Sequence, residues 1–258
     1  MGRVLRVFDD AQAVGFGAAS ALVTRALDAI AARGRFSVAL SGGATPLRFY
    51  SALASRIQAG APGATAVAWD QVHVFFGDER AVPPDHPDSN YRAAHGLLLA
   101  HLRIPEANIH RILGELDPGE AAANYEEVLR RQFGIGPGVW PVFDLVFLGL
   151  GPDLHTASLF PGSAALDERR RLVVATWVRS KDTHRITVTP PVINHARAAM
   201  FLVTGEEKAA ALRTVLETEP DPMHRPAQVV RPIDGDLIWL VDRAAAAELS
   251  PATREEWA

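Results

Sequence analysis

The 258-residue chain contains no cysteine. That excludes disulfides, thiolate nucleophiles and cysteine-ligated zinc or iron–sulfur sites, and it fits a reducing compartment. Charge of one sign is also scarce. The 26 Lys and Arg against 30 Asp and Glu leave a formal net charge of −4. No Lys/Arg block suggests a stripe for a phosphate backbone, so no nucleic-acid partner is expected. A long uncharged apolar run is missing as well: the Ala-rich stretch 11–32 carries Arg25 and Asp28. It reads as a core-facing helix and not as a membrane span. The N-terminus, Met1 to Arg6, lacks the apolar core of a signal peptide and the Ser or Thr at position 6 that myristoylation needs. A cytoplasmic protein without membrane contact is expected. No linker, internal repeat or low-complexity tract divides the sequence, so a single domain over residues 1–258 is expected.

The familiar fingerprints are missing too. There is no Gly-x-x-x-x-Gly-Lys-Ser/Thr phosphate loop. Gly149-Leu-Gly151 opens like a dinucleotide turn, but Leu154 stands where the third glycine belongs. No Gly-x-Ser-x-Gly elbow occurs, which argues against a serine α/β-hydrolase. No His-Glu-x-x-His occurs, and the nine histidines are scattered without ligand spacing. No metal is expected.

What is present is alternation. Helical periodicity is expected over residues 11–33 (ending at Gly34), 46–58, 89–102, 119–133 and 206–216, with a short helix after 241. Extended segments are expected at 36–40, 72–76, 107–112, 143–148, 172–178, 185–189, 199–203 and 237–241. Strands separated by helices of this length imply an α/β fold of three layers, with a mostly parallel sheet and helices on both faces. The last eight residues are polar and read as loosely held.

Open α/β sheets bind ligands outside the carboxyl ends of their strands. Five stretches put chemistry there or beside it. Residues 143–148 form an apolar run that breaks at Gly149 and Gly151 and presents Asp153 and His155. Histidine is a candidate general base because its ordinary pKa lies near neutrality. In extended backbone Asp153 would point the same way as His155 and could fix its tautomer. The competing reading is a helix cap by Asp153 and a histidine bonded to nearby backbone. Ser41-Gly-Gly-Ala-Thr-Pro46 follows a strand and opens a helix. Gly42 and Gly43 allow a tight turn and close ligand approach, Thr45 suits the N-cap, and Pro46 suits the first helical position. Such a helix N-terminus is an anion site, unless it is a plain strand-to-helix turn. Gly77-Asp-Glu-Arg80 ends a third strand with two carboxylates and a guanidinium suited to a phosphate or carboxylate. Alone it would be a solvated loop. Arg185 and Lys208, each an ordinary surface residue when taken singly, could add positive charge to the same crevice.

Together these segments resemble the 6-phosphogluconolactonases, within the superfamily that also holds the glucosamine-6-phosphate deaminases. The matching pieces are Ser41 to Pro46, Phe76 to Arg80, Ser89-Asn-Tyr91, Leu148 to Gly162, Arg185-Ile-Thr187 and Gly205-x-x-Lys208, in family order. The resemblance implies a modified Rossmann-like fold and hydrolysis of 6-phospho-D-glucono-1,5-lactone without a cofactor. The sugar-phosphate lactone is the implied partner, for a monomer or weak dimer. It implies His155 as base and Asp153 as its orienting group. It implies phosphate binding by Ser41, Gly42, Gly43, Thr45, Arg80, Arg185 and Lys208, with Asp78 and Asn90 as substrate contacts. Thr156-Ala-Ser-Leu-Phe-Pro161 and Asp78-Glu-Arg80 favour lactonase over deaminase. An amino-sugar phosphate deaminase and a non-catalytic sugar-phosphate-binding regulator are the alternatives. Two departures from the family pattern flank Asp153: Pro152, which removes an N–H, and Leu154, expected to resist the backbone angles that a glycine there would take. Ala44 also replaces a usual Ser.

Overall fold

In a computed structural model, which describes residues 2–257, nine strands and eight helices follow one another along the chain. The strands are β1 (Arg3–Phe8), β2 (Phe36–Leu40), β3 (Val72–Phe76), β4 (Asp78–Arg80), β5 (Leu145–Leu148), β6 (Val173–Val178), β7 (Thr183–Val188), β8 (Ala198–Val203) and β9 (Asp236–Asp242). The helices are α1 (Ala11–Arg33), α2 (Ala44–Gln58), α3 (Pro62–Thr65), α4 (Asn90–Leu97), α5 (Pro118–Phe133), α6 (Pro190–Asn194), α7 (Ala209–Glu217) and α8 (Pro251–Glu256). Six strands pair in parallel in the order β1-β9-β8-β5-β2-β3. β2, β5 and β8 are buried along their whole length, as strands covered on both faces must be. The architecture expected from the alternation, a mostly parallel sheet flanked by helices, is the one found.

The strand order sets the site. The chain runs from β2 outward to β3, then returns to place β5 on the other side of β2 and continues to β8. Strand order therefore reverses between β2 and β5, and the loops leaving them diverge to open a crevice. A second sheet, antiparallel in the order β4-β7-β6, forms one wall of that crevice. Gly77 joins the two sheets: its N–H donates to the Leu40 carbonyl at 2.8 Å, and its carbonyl accepts from Val188 N–H at 2.9 Å.

α1 is long and apolar enough to span a membrane by length and composition. Its small-residue stripe, including Val14, Ala18, Ala19, Leu22 and Ala26, is buried, and the helix packs on α2 and β9. Asp10 caps its start and Gly34, at φ 74°, its end.

Several expectations need correction. β1 goes unread in the sequence, because Arg3 and Arg6 interrupt its apolar residues; it is an edge strand, where one face meets solvent. Residues 107–112 are no strand. Glu106–Asn108 forms a 3-10 turn, and only Ile109 bridges to Val74. The helix expected over 89–102 is α4 followed by a separate 3-10 turn at Leu99–His101. Residues 251–257 are not loose. Pro251–Glu256 is helical, Trp257 is 7% exposed, and its carbonyl accepts from Leu5 N–H at 2.6 Å.

Away from the crevice, His110 is 8% exposed, stacks on Phe75 at 4.5 Å and places Nε2 3.3 Å from His73 Nδ1. Burial first, then the charges of His73, Arg131 and Arg35, lower its pKa to about 4. The unfolded chain binds this proton near pH 6.5 and the fold only near 4. The fold's preference for neutral His110 is therefore fully present above pH 6.5 and is lost progressively down to about pH 4. The loss from this group is about 3 kcal/mol. His110→Leu should flatten the fall of the urea midpoint between pH 6.5 and 4.5. Parallel curves for the two proteins would assign the acid sensitivity elsewhere.

Candidate active site

The carboxyl ends of β2, β3, β5, β8 and β9 surround a cleft of about 650 Å3. Among the residues singled out in the sequence, Ser41, Gly42, Gly43, Thr45, Asp78, Arg80, Asn90, His155, Arg185 and Lys208 all line it. Asp153 does not; it touches the histidine ring.

At the end of β2 the chain turns through Gly43, at φ 102°, into α2. Gly43 is the N-cap and offers no side chain to the first-turn N–H groups, so they remain for a ligand. Thr45 is thus the second helical residue and not the cap, and Pro46 is the third. The Thr45 hydroxyl bonds the Thr204 hydroxyl at 2.9 Å, joining α2 to the end of β8. Ser41 is 5% exposed, and its hydroxyl has no partner among the described residues. A buried hydroxyl left this way is costly, and a ligand oxygen in the cleft would satisfy it.

Gly42 is fixed by its neighbour: a Cβ there would collide with the Asn90 amide. Asn90 donates to the Asp78 carbonyl at 2.9 Å and to its carboxylate at 3.3 Å, and the Ser158 hydroxyl donates to the same carboxylate at 2.7 Å. Asp78 and Asn90, expected as substrate contacts, therefore also clamp three loops of the cleft together. Glu79 next to them is buried and points away from the cleft. It accepts from Arg80, Asn90 and Tyr91 N–H groups and from Ser89 Oγ, holding the start of α4. Burial pushes its pKa up, and the main-chain bonds of Tyr91, Asn90 and Arg80 pull it back.

Arg80 on β4 and Arg185 on β7 are directly paired across the antiparallel ladder. Arg80 donates to the Asp88 carbonyl. Arg185 is half-buried, and burial followed by the Arg80 charge lowers its pKa. Like charges opposed on neighbouring strands are unfavourable, so this wall is set up to favour an anion.

The stretch after β5 is a tight turn and not an extension of the strand. Gly151 N–H donates to the His155 carbonyl at 2.8 Å and Leu154 N–H to the Gly151 carbonyl at 3.0 Å. Leu154 takes φ 68° and Ala157 φ 48°. Leucine thus adopts the left-handed angle it was expected to resist. The turn brings the Asp153 carboxylate against His155 Nδ1, where extended backbone was expected to do so. The ring stacks on Phe160 at 4.2 Å and 24°, which fixes its plane. Burial raises the Asp153 pKa, but the hydrogen bond and charge of His155 outweigh it and hold the carboxyl below its ordinary value.

Lys208 ends the 3-10 turn Glu206–Lys208, which Gly205 precedes, and α7 follows it. Sequence reasoning missed Arg48, Ser158, Lys181, Thr204 and Asp242, all of which line the cleft. Asp242 carried the same signal as Asp78, a carboxylate ending an apolar run. Ser158 lay in plain view beside His155. Arg48 and Lys181 sit on a helix face and a hairpin turn, where a cation says nothing of position.

The family described as glucosamine-6-phosphate isomerases/6-phosphogluconolactonase matches residues 9–239. A 6-phosphogluconolactonase of Synechocystis sp. is 45% identical over 232 residues, 89% of this chain and 91% of the relative. The 6-phosphogluconolactonase of Homo sapiens is 40% identical over 250 residues, 96% of this chain and 94% of the relative. The solved 6-phosphogluconolactonase of Trypanosoma cruzi superposes with a TM-score of 0.81 at 30% identity, covering 97% of this chain and 98% of that one. With the match running from before α1 into β9 and the resembling motifs converging on one cleft, this chain belongs to the glucosamine-6-phosphate isomerase/6-phosphogluconolactonase family.

Proposed function

We propose that the protein is a 6-phosphogluconolactonase, hydrolysing 6-phospho-D-glucono-1,5-lactone to 6-phospho-D-gluconate, the second step of the oxidative pentose phosphate pathway. One observation carries the chemistry: a carboxylate-paired histidine and a cationic, anion-seeking wall face the same cleft. The names of the relatives support the substrate.

In this mechanism the phosphate sits at the N-terminus of α2 with Ser41, Arg80, Arg185 and Lys208. Asp153 holds Nδ1, so Nε2 is the working nitrogen of His155. Neutral His155 takes a proton from water as the water oxygen bonds to C1. The resulting oxyanion collapses, the C1–O5 bond breaks, and the proton on Nε2 passes to O5. Gly151 N–H is already bonded within the turn and Pro152 has none, so Gly149 and Leu150 are the N–H groups of this stretch left for the oxyanion. A lactone is an activated ester, and general acid–base help of roughly 10²–10⁴-fold is sufficient for it.

Freshly generated 6-phosphogluconolactone, with acid release followed above the spontaneous rate, tests the reading. Ammonia release from glucosamine 6-phosphate would instead favour a deaminase, and sugar-phosphate binding with neither reaction would favour a regulator.

A further inference from the structure

Asp242 ends β9 at the rim of the cleft and is 5% exposed. Both its carboxylate oxygens accept the Gly205 N–H, at 3.1 Å each, and Oδ1 also accepts the Ala245 N–H at 2.8 Å. A buried carboxylate is an odd neighbour for a phosphate. Its charge repels a dianion, most strongly where water is excluded. What it does offer is geometry.

Gly205 sits at φ 100°, ψ 146°, a conformation that an L side chain resists. A Cβ there would also meet the Glu207 carboxylate, which folds back over the glycine. From this residue the chain enters the 3-10 turn Glu206–Lys208, closed by Lys208 N–H on the Gly205 carbonyl at 3.1 Å. The position of Lys208 is thus set by the backbone conformation of Gly205, and Asp242 grips that residue by its N–H. The residue before it, Thr204, bonds Thr45 on α2. A continuous path runs from β9 through the end of β8 to the helix N-terminus opposite.

We propose that Asp242 is a positioning residue for substrate binding: it holds the Gly205 turn so that Lys208 meets the phosphate, and this positional role outweighs the repulsion of its charge. The proposal rests on the lactonase reading above.

Asp242→Ala, Asp242→Asn, Lys208→Ala and the double variant Asp242→Ala/Lys208→Ala test it, with KM and kcat on 6-phosphogluconolactone and calorimetric Kd for inorganic phosphate. Asp242→Ala should raise both KM and the phosphate Kd roughly 5- to 30-fold, the loss of a charge-assisted anchor. The change in kcat should be much smaller. Asp242→Asn keeps one acceptor oxygen and should lie between wild type and Ala. In the Lys208→Ala background the Ala substitution should add less than about twofold, because the two act as one unit.

Phosphate binding that is unchanged or tighter in Asp242→Ala would overturn the proposal, since the carboxylate would then act through charge alone. So would an undiminished effect in the Lys208→Ala background. If Asp242→Ala fails to fold, Asp242→Asn decides: a weaker phosphate Kd supports the positioning role and an equal or tighter one overturns it. A wild-type protein that neither hydrolyses the lactone nor binds phosphate would remove the lactonase reading itself, and this proposal with it. That outcome is separate from one in which wild type binds and Asp242→Ala binds equally well.

Discussion

His155→Ala is expected to lower kcat on 6-phosphogluconolactone by roughly 10²–10⁴-fold, the range contributed by one positioned acid–base group. KM should change little, because the groups assigned to the phosphate lie on other loops. The fold should survive. The ring is only partly buried, and its Asp153 partner is 42% exposed, so water takes over its solvation when the imidazole is gone. Asp153→Asn should cost less, since it leaves the ring in place on Phe160 and removes only the group that fixes the tautomer. The measurement is initial acid release after subtraction of the uncatalysed rate, beside a melting curve. Near-wild-type turnover by a folded His155→Ala protein would sink the mechanism.

Arg185→Ala should raise KM by roughly 10- to 100-fold, the value of a charge-assisted contact to a phosphate of about 1.5–3 kcal/mol. Turnover of unphosphorylated glucono-1,5-lactone should be nearly unaffected. The second half of this prediction concerns stability. Burial and the Arg80 charge both disfavour the charged form of Arg185 in the fold, and at neutral pH the group is charged in folded and unfolded chain alike. The ligand-free protein carries that cost, so Arg185→Ala should melt at the same temperature as wild type or higher. Inorganic phosphate should stabilise the wild type more than the variant. A binding wall that is unfavourable until its ligand arrives is a common exchange of stability for function. Equal KM increases on both lactones would contradict a phosphate contact at Arg185.

The sheet was legible because parallel strands buried on both faces write themselves as near-continuous apolar runs, as Phe36–Leu40 and Ala198–Val203 do. Strands with one wet face were read less evenly: β6 and β7 were expected at 172–178 and 185–189, whereas β1 and β4 were not. β1 was assigned no element, and the residues of β4 were read as the charged end of the strand before them. The cleft was legible for a different reason. Glycine breaks and polar residues at the ends of apolar runs coincide with the sheet edge where ligands bind. Roles were harder than places. Thr45 reads as a cap but bonds across to Thr204, and Gly42 is glycine because Asn90 lies against it. Both depend on segments far away in sequence. The His155 turn shows the same limit. Local propensity speaks against a leucine at φ 68°, and the surrounding contacts override it.

The placement of β1 has a consequence for how the molecule is made. Its one partner in the sheet is β9, and Gly2 N–H reaches the Asp236 carboxylate, 234 positions later in the chain. At ribosomal speeds of roughly 5–20 residues per second, the first strand waits on the order of 10–50 s for the last. Throughout that interval α1, whose apolar stripe needs β9 as a floor, stays partly uncovered outside the ribosome. The pairing of β1 with β9 is therefore among the most non-local contacts of the fold, and the entropy of closing so long a loop delays it.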